Sequence, residues 1–284
     1  MANSVRKVAQ VVRHAPGLER ADWLWSLLRR PYQRVIDPRG RGVEVCVGGY
    51  QKVRMPAKYA AGPWESYEPE GVKALAAWLG VNPNAVILDV GCAVGIFSAI
   101  SLFASPTAEV IAIDSDLSSL KATQCLCCYA TGDRLKVVQG LVTAEHRSGW
   151  SLHEACEETL KAVTLRGVTG DVGTTAYICL DDDAEGAIPW HSLDGLLQGA
   201  EVGARPLLLK CDVEGAELLV LHGARRLIEL YSPAMLLSVH PGALSAYGHS
   251  REMVAEFLAA RGYQVEVLSV DHEEHWWCWL SRQV

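Results

Sequence analysis

The chain has 284 residues, of which 50% are hydrophobic and 21% are charged, and it carries a formal net charge of −7. This composition is typical of a globular protein with a sizeable core, and the negative charge argues against nucleic acid, whose partners usually present a basic surface. No apolar run reaches the roughly 20 residues that cross a bilayer. Nine scattered cysteines favour reduced thiols over a disulfide framework, so we expect a cytoplasmic protein.

The N-terminal part of the chain predicts a helix and a hairpin. Residues 21–30, ADWLWSLLRR, have helical spacing and precede Pro31, which we expect to end the helix. The segment GVEVCVGGYQKVRM alternates apolar and polar residues around a glycine turn, as an edge hairpin does. We assign residues 1–44 to an N-terminal helical extension and residues 45–284 to one domain that begins with this hairpin.

Short apolar runs and helical segments alternate after Ala85, as in a doubly wound parallel sheet. The predicted strands are Val86 to Val90, Val110 to Ile113, Leu135 to Val138, Pro206 to Cys211 and Ala234 to Val239. Residues 143–189 are less periodic, and we interpret them as an insertion with one helix, SLHEACEETLKAV.

The C-terminal part predicts a helix and two closing strands. In SREMVAEFLAARGY, Ser250 is the expected cap and Gly262 the stop, and four apolar residues share one face: Met253, Val254, Phe257 and Leu258. The strands QVEVLSV and HWWCWLS follow, joined by the polar DHEEH. The three tryptophans of the second strand are expected to cover the sheet.

The stretch DVGCAVG, which begins at Asp89, predicts a glycine turn between a strand and a helix. Such a turn directs backbone N–H groups and the positive end of the helix dipole to the sheet's carboxyl edge, where a polar ligand binds. The dinucleotide fingerprint requires glycine where Ala93 and Ile96 stand, which disfavours an NAD-dependent oxidoreductase. Asp114 ends the next strand, where a carboxylate can hold the ribose diol of a nucleoside.

The loop and Asp114 resemble motif I and the following acidic position of class I S-adenosylmethionine-dependent methyltransferases. The resemblance implies S-adenosylmethionine as cofactor and S-adenosylhomocysteine as product. The implied cofactor-binding residues are Asp89, Gly91, Cys92, Gly95, Asp114, Ser115 and Asp212.

Three further segments resemble the FkbM-type methyltransferase family over roughly residues 45 to 282. They are YEPE at residues 67–70, WHSLDGLL at residues 190–197 and LLLKCDVEGAELLVLHGA at residues 207–224, and the run Lys210 to Glu217 is the most specific. The resemblance implies an α/β fold of the class I methyltransferase, Rossmann-like type, doubly wound, with a mostly parallel sheet and an antiparallel closing strand.

Three candidate catalytic residues follow the ends of predicted strands, namely Asp212, Glu214 and His240. Methyl transfer to a hydroxyl requires alignment and a proton acceptor, and each of the three could orient the substrate or take the proton. Glu214 could alternatively bond backbone N–H groups at the start of the next helix.

Lys210 and a set of possible metal ligands also require an interpretation. Lys210 is expected to pair with Asp194 or Glu217. Asp212, Glu214, Glu217 and His240 also offer divalent-metal ligands, but the family resemblance demands none and we expect no metal.

The sequence therefore predicts a methyltransferase that acts on a hydroxyl of a small molecule, glycan or natural product. Two alternatives remain: N-methylation of a peptide or amide nitrogen, and a catalytically inactive cofactor-binding scaffold. The expected partner is a small-molecule, glycan or peptide substrate, without nucleic acid or a membrane span, and a homodimer is left open.

Overall fold

The computed structural model describes residues 31–165, 188–199 and 202–280. The predicted helix over residues 21–30 lies outside these ranges. Pro31 itself is helical, together with the following residues up to 36, so the expectation that Pro31 ends a helix is wrong. The boundary between residues 44 and 45 stays a prediction.

A seven-stranded sheet forms the centre of the fold. The strands in chain order are β1 (Val43–Val47), β2 (Gln51–Met55), β3 (Val86–Val90), β4 (Glu109–Asp114), β5 (Leu135–Gln139), β6 (Leu141–Val142), β7 (Trp190–His191), β8 (Leu207–Cys211), β9 (Ala234–Val239), β10 (Tyr263–Val270) and β11 (Glu274–Leu280). The sheet has the order β10-β11-β9-β8-β3-β4-β5, whereas β1–β2 and β6–β7 form separate pairs. The strands β3, β4, β5, β8 and β9 are parallel, and β11 is antiparallel to β9 and β10. The predicted fold class is confirmed.

Helices cover both faces of this sheet. They are α1 (Pro69–Val81), α2 (Ile96–Ala104), α3 (Leu117–Leu126), α4 (Leu152–Leu165), α5 (Leu193–Leu196), α6 (Glu217–His222), α7 (Arg225–Tyr231), α8 (Pro241–Leu244) and α9 (Arg251–Ala259). Among the residues described, no helix is both long enough and apolar enough to cross a membrane.

Two hydrophobic cores lie on opposite faces of the sheet because successive strand residues point in opposite directions. In β3, Leu88 belongs to the core that includes α6, α7 and α9, whereas Ile87 belongs to the core that includes α1, α2, α3 and the β1–β2 hairpin. Both side chains are fully buried. Trp276 joins the first core and Trp277 packs against the second, as predicted, whereas Trp279 is 36% exposed and belongs to neither core.

The predicted C-terminal helix is present and has the expected cap, but one of its four apolar residues was assigned to the wrong face. The Ser250 side chain accepts a hydrogen bond from the amide of Met253, and Val254, Phe257 and Leu258 are buried. Met253 is 41% exposed and does not share the buried face. Met253 lies in the first turn of the helix and is exposed, and the spacing of the apolar residues in the sequence did not show this.

Candidate functional site

The glycine loop packs directly against the end of β8. Gly91 has φ 75°, and a Cβ there would lie 1.7 Å from the carbonyl oxygen of Asp212. The Asp212 amide in turn donates to the carbonyl of Val90 at 2.9 Å. Glycine is required here because neither the left-handed backbone nor the close approach admits a side chain. This contact joins the predicted cofactor loop to the predicted catalytic segment.

Three amides of the loop are already bonded within the protein. The Gly91 and Cys92 amides donate to the carbonyl of Ile113 at 2.9 and 3.2 Å, and the Ala93 amide donates to Asp114 Oδ2 at 2.9 Å. The expectation that the loop directs its amides to a ligand is therefore wrong for these three, because the end of β4 supplies nearer acceptors.

Asp114 lies at the carboxyl edge with capacity for further hydrogen bonds. Oδ1 accepts from the Asp116 amide at 2.9 Å and Oδ2 from Ala93, while an ionised carboxylate offers about four acceptor positions. Burial raises the pKa of Asp114 to about 6, although these backbone bonds lower it in part. The carbonyl of the adjacent Ser115 accepts from Gln139 Nε2 at 3.1 Å, which fixes the chain after β4.

Two predicted cofactor-binding side chains point into the protein. Asp89 is 1% exposed and accepts a 2.5 Å hydrogen bond from the Ser98 hydroxyl, and burial raises its pKa. Cys92 is buried with Sγ 3.5 Å from the Thr123 hydroxyl. Gly95 approaches the same threonine so closely that a Cβ would lie 2.5 Å from it. The side chains of Asp89 and Cys92 therefore pack beneath the loop, and their predicted part in cofactor binding stays a prediction.

Lys210 is buried and holds Asp212, which differs from the predicted pairing. Its Nζ donates to Asp212 Oδ2 at 3.0 Å and to the Ser238 hydroxyl at 3.1 Å. Burial acts to raise the pKa of Asp212, but the charge of Lys210 and its hydrogen bond lower it overall. The predicted partner Asp194 instead accepts the amides of Arg226 and Leu227 at the start of α7.

His240 occupies the centre of a group of carboxylates. Its Nδ1 lies 2.7 Å from Oε1 of Glu217, a fully buried residue. Its Nε2 lies 3.7 Å from Asp212 Oδ1, 3.5 Å from Glu214 Oε2 and 2.8 Å from Glu273 Oε2. Burial acts to lower the pKa of His240, but the contacts with Glu217, Glu273 and Asp212 raise it to about 10.

Glu214 faces His240 from a backbone position that is unusual for a residue with a side chain. Its φ is 51°, and its side chain is 43% exposed. Burial raises the pKa of Glu214, and the charge of His240 opposes the shift. The structural alternative at the helix start is wrong for Glu214, because Glu217 Oε1 accepts the Gly215 amide at 2.9 Å.

Three residues that were not predicted as site residues complete the group, namely Glu68, Glu273 and His275. His275 has Nδ1 3.3 Å from Glu68 Oε2 and Nε2 3.5 Å from Glu273 Oε1. Because β11 runs antiparallel to β9, the DHEEH turn at its start lies at the carboxyl edge of the parallel strands. The prediction of an antiparallel closing strand could therefore have placed Glu273 and His275 near the site. We call Glu68, Asp212, Glu214, Glu217, His240, Glu273 and His275 the carboxylate–histidine cluster.

A separate cavity of about 350 Å³ lies between the N-terminal helical segment and the hairpin. Its lining residues are Gln33, Arg34, Asp37, Gly40, Pro56, Ala57, Lys58 and Tyr129. None of them belongs to the predicted site.

Comparisons with known proteins identify a family for part of the chain. Residues 181–265 match the model described as the methyltransferase FkbM domain, which confirms the resemblance predicted from the sequence. The matched range contains Asp212, Glu214 and His240. No curated protein sequence matches the chain.

Solved methyltransferase structures resemble the chain at low identity. An FkbM methyltransferase from Methylobacillus flagellatus KT is 16% identical, with a TM-score of 0.46 over 91% of this chain and 60% of that one. The chain thus spans 60% of that protein's length. A precorrin-6y C5,15-methyltransferase from Geobacter metallireducens GS-15 is 12% identical, with a TM-score of 0.40 over 76% and 89% of the two chains. A methyltransferase from Geobacter sulfurreducens is 17% identical, with a TM-score of 0.35 over 74% and 78%.

Proposed function

We propose that the chain is an S-adenosylmethionine-dependent methyltransferase that methylates a hydroxyl of a small molecule, glycan or natural product. The observation that carries this proposal is the contact between Gly91 and Asp212. This contact places the glycine loop, which lies beside Asp114, next to the carboxylate–histidine cluster at the carboxyl edge of the sheet. In open α/β sheets this edge is where ligands bind.

The residues at this edge fit the proposed cofactor. Asp114 retains acceptor positions for two ribose hydroxyls, and its desolvated carboxylate gains from such donors. We expect Gly91, Gly95 and the backbone of Cys92 and Ser115 to line the cofactor site beside it. S-adenosylmethionine, when bound, supplies an electrophilic methyl group, and the chain must orient the acceptor and exclude competing water.

The cluster provides the proton acceptor that a hydroxyl substrate requires. Asp212 has a lowered pKa and a lysine partner, so it is a weak base and suits the orientation of the hydroxyl. Glu214 is half exposed and has a raised pKa, which makes it the better proton acceptor. A positively charged His240 beside both favours their ionised forms.

Calorimetric titration with S-adenosylhomocysteine tests the cofactor site. We expect binding by the wild-type protein and a loss of about tenfold or more for Asp114→Ala, which removes the ribose acceptor. Asp116→Asn is the matched control, because Asp116 is an exposed carboxylate that caps α3 through the Ser118 and Ser119 amides. Absence of binding by folded wild-type protein would overturn the proposal.

Mass spectrometry of acceptor panels tests the reaction. Mass gain on hydroxyl compounds, reduced at least about tenfold by Glu214→Gln, supports O-methylation with Glu214 as base. Mass gain restricted to amide or peptide nitrogens identifies the N-methyltransferase alternative. Cofactor binding with no mass gain on any acceptor identifies the inactive scaffold.

A further inference from the structure

The environment of His240 resembles that of a histidine prepared to bind a cation. Glu217 holds Nδ1 at 2.7 Å, and when the neutral ring donates its proton there, the lone pair lies on Nε2. Nε2 then faces carboxylate oxygens of three residues: Asp212, Glu214 and Glu273. Metal-ligating histidines commonly donate their second ring N–H to a carboxylate in this way.

Glu273 provides an independent indication of a missing ligand. Its side chain is 7% exposed, and Oε2 is buried without a hydrogen-bond donor. This oxygen nevertheless lies 2.8 Å from Nε2 of His240, so it is directed into the cluster. A buried carboxylate oxygen is costly unless a positive charge compensates it; a proton on His240 Nε2 supplies that charge when no metal is bound, and a divalent cation would take the place of this proton.

The charge of the cluster leads to the same conclusion. Five carboxylates lie there, from Glu68, Asp212, Glu214, Glu217 and Glu273, and Lys210 pairs with Asp212. Lys210 and the protonated His240 compensate two of these charges, and a divalent cation in place of the His240 proton would add one further positive charge.

We propose that the chain binds one divalent cation between His240, Asp212 and Glu214, whose ligand atoms all lie within 4.8 Å of one another, with the carboxylate of Glu273 beside them. Ligand atoms that each lie about 2.1 Å from a shared ion are roughly 3.0 to 3.6 Å apart. The separation of 3.5 Å from Nε2 to Glu214 lies within this range and that of 3.7 Å to Asp212 lies just above it, whereas the 2.8 Å from Nε2 to Glu273 is shorter. One imidazole with two carboxylates suits Mn²⁺, Fe²⁺ or Zn²⁺ rather than a soft metal.

The inference rests on the proposed function for its role in catalysis. A cation at this point can bind the oxygen of the acceptor and make its hydroxyl more acidic. A carboxylate that binds through one oxygen keeps the other, so Glu214 still has an atom to accept the proton.

Titration of MnCl₂ into the metal-free full-length protein tests the site without the cofactor. The electron paramagnetic resonance signal of free Mn²⁺ should decrease until one ion is bound per chain. Glu273→Gln and the half-exposed Glu214→Gln should each weaken Mn²⁺ binding at least about tenfold, and Glu217→Gln by about 10- to 100-fold through His240 orientation. Glu274→Gln is the matched control, because Glu274 pairs with Arg251 outside the cluster.

The outcomes separate this inference from the proposed function. An unchanged free Mn²⁺ signal at about 1 mM, or equal binding by wild type and Glu214→Gln, overturns the cation site even when S-adenosylhomocysteine binds. Circular dichroism verifies that each variant is folded. If Glu273→Gln does not fold, Glu214→Gln alone still tests the cation site. Mn²⁺ binding without S-adenosylhomocysteine binding supports the cation site and overturns the methyltransferase.

Discussion

Ala93 has φ 47°, a left-handed backbone that an alanine adopts at a cost. We therefore expect Ala93→Gly to increase the free energy of unfolding by about 0.5 to 1 kcal/mol, because glycine relieves the strain. Urea denaturation followed by circular dichroism measures the change. Ala99→Gly, within α2, is the control and should lower stability by about 1 kcal/mol. A less stable Ala93→Gly protein would show that strain is not the dominant effect.

Asp114 predicts a pH dependence of cofactor binding. The ionised carboxylate accepts hydroxyl donors, so binding is strong above its raised pKa of about 6 and weakens as the pH falls through that value. The affinity for S-adenosylhomocysteine should therefore drop about tenfold between pH 7.5 and 5.0. Calorimetry of the wild type and Asp114→Asn measures this, and the variant should bind weakly at both pH values. A flat wild-type profile would exclude Asp114 as the titrating group.

The turn from β3 to α2 contains two glycines with positive φ, and Gly91 makes the closer approach to backbone. Gly91→Ala places a Cβ 1.7 Å from the Asp212 carbonyl, so the loop and the end of β8 must separate. We expect a loss of at least about 2 kcal/mol in the free energy of unfolding and loss of S-adenosylhomocysteine binding. Gly80→Ala in α1 meets no atom within 4 Å and should stabilise by about 0.5 to 1 kcal/mol. Thermal and urea denaturation of both variants provide the comparison, which fails if Gly91→Ala is as stable as Gly80→Ala.

Elements whose burial is continuous were predictable from the sequence, and those fixed by tertiary contacts were not. The strands β3 and β8 are buried at every residue, so they form apolar runs in which the only polar residues are the buried Asp89 and Lys210. The two-residue strands β6 and β7 have no comparable pattern, because they exist only through their mutual pairing. Asp212, Glu214 and His240 were identifiable because each follows a recognisable strand. Glu273 was not, since its place in a turn between strands reveals nothing about what it faces, and Glu217 was named only for a pairing with Lys210 or a metal, not for its contact with His240.

The two cores share one sheet, so the described part of the molecule should unfold as one cooperative unit. Ile87 and Leu88 are neighbours on β3, are both fully buried and belong to opposite cores. We expect Ile87→Ala and Leu88→Ala each to cost about 2 to 5 kcal/mol, because each leaves a cavity that the rigid central strand prevents from collapsing.

Urea unfolding followed by far-ultraviolet circular dichroism and by tryptophan fluorescence distinguishes one unit from two. Trp276 lies in the Leu88 core and Trp277 packs against the Ile87 core, so fluorescence reports on both faces while circular dichroism reports on the backbone. Coincident single transitions in the wild type and both variants follow if β3 and β11 couple the faces. A transition that splits in one variant, with the other core still folded, would show that the sheet does not transmit the loss of one core to the other.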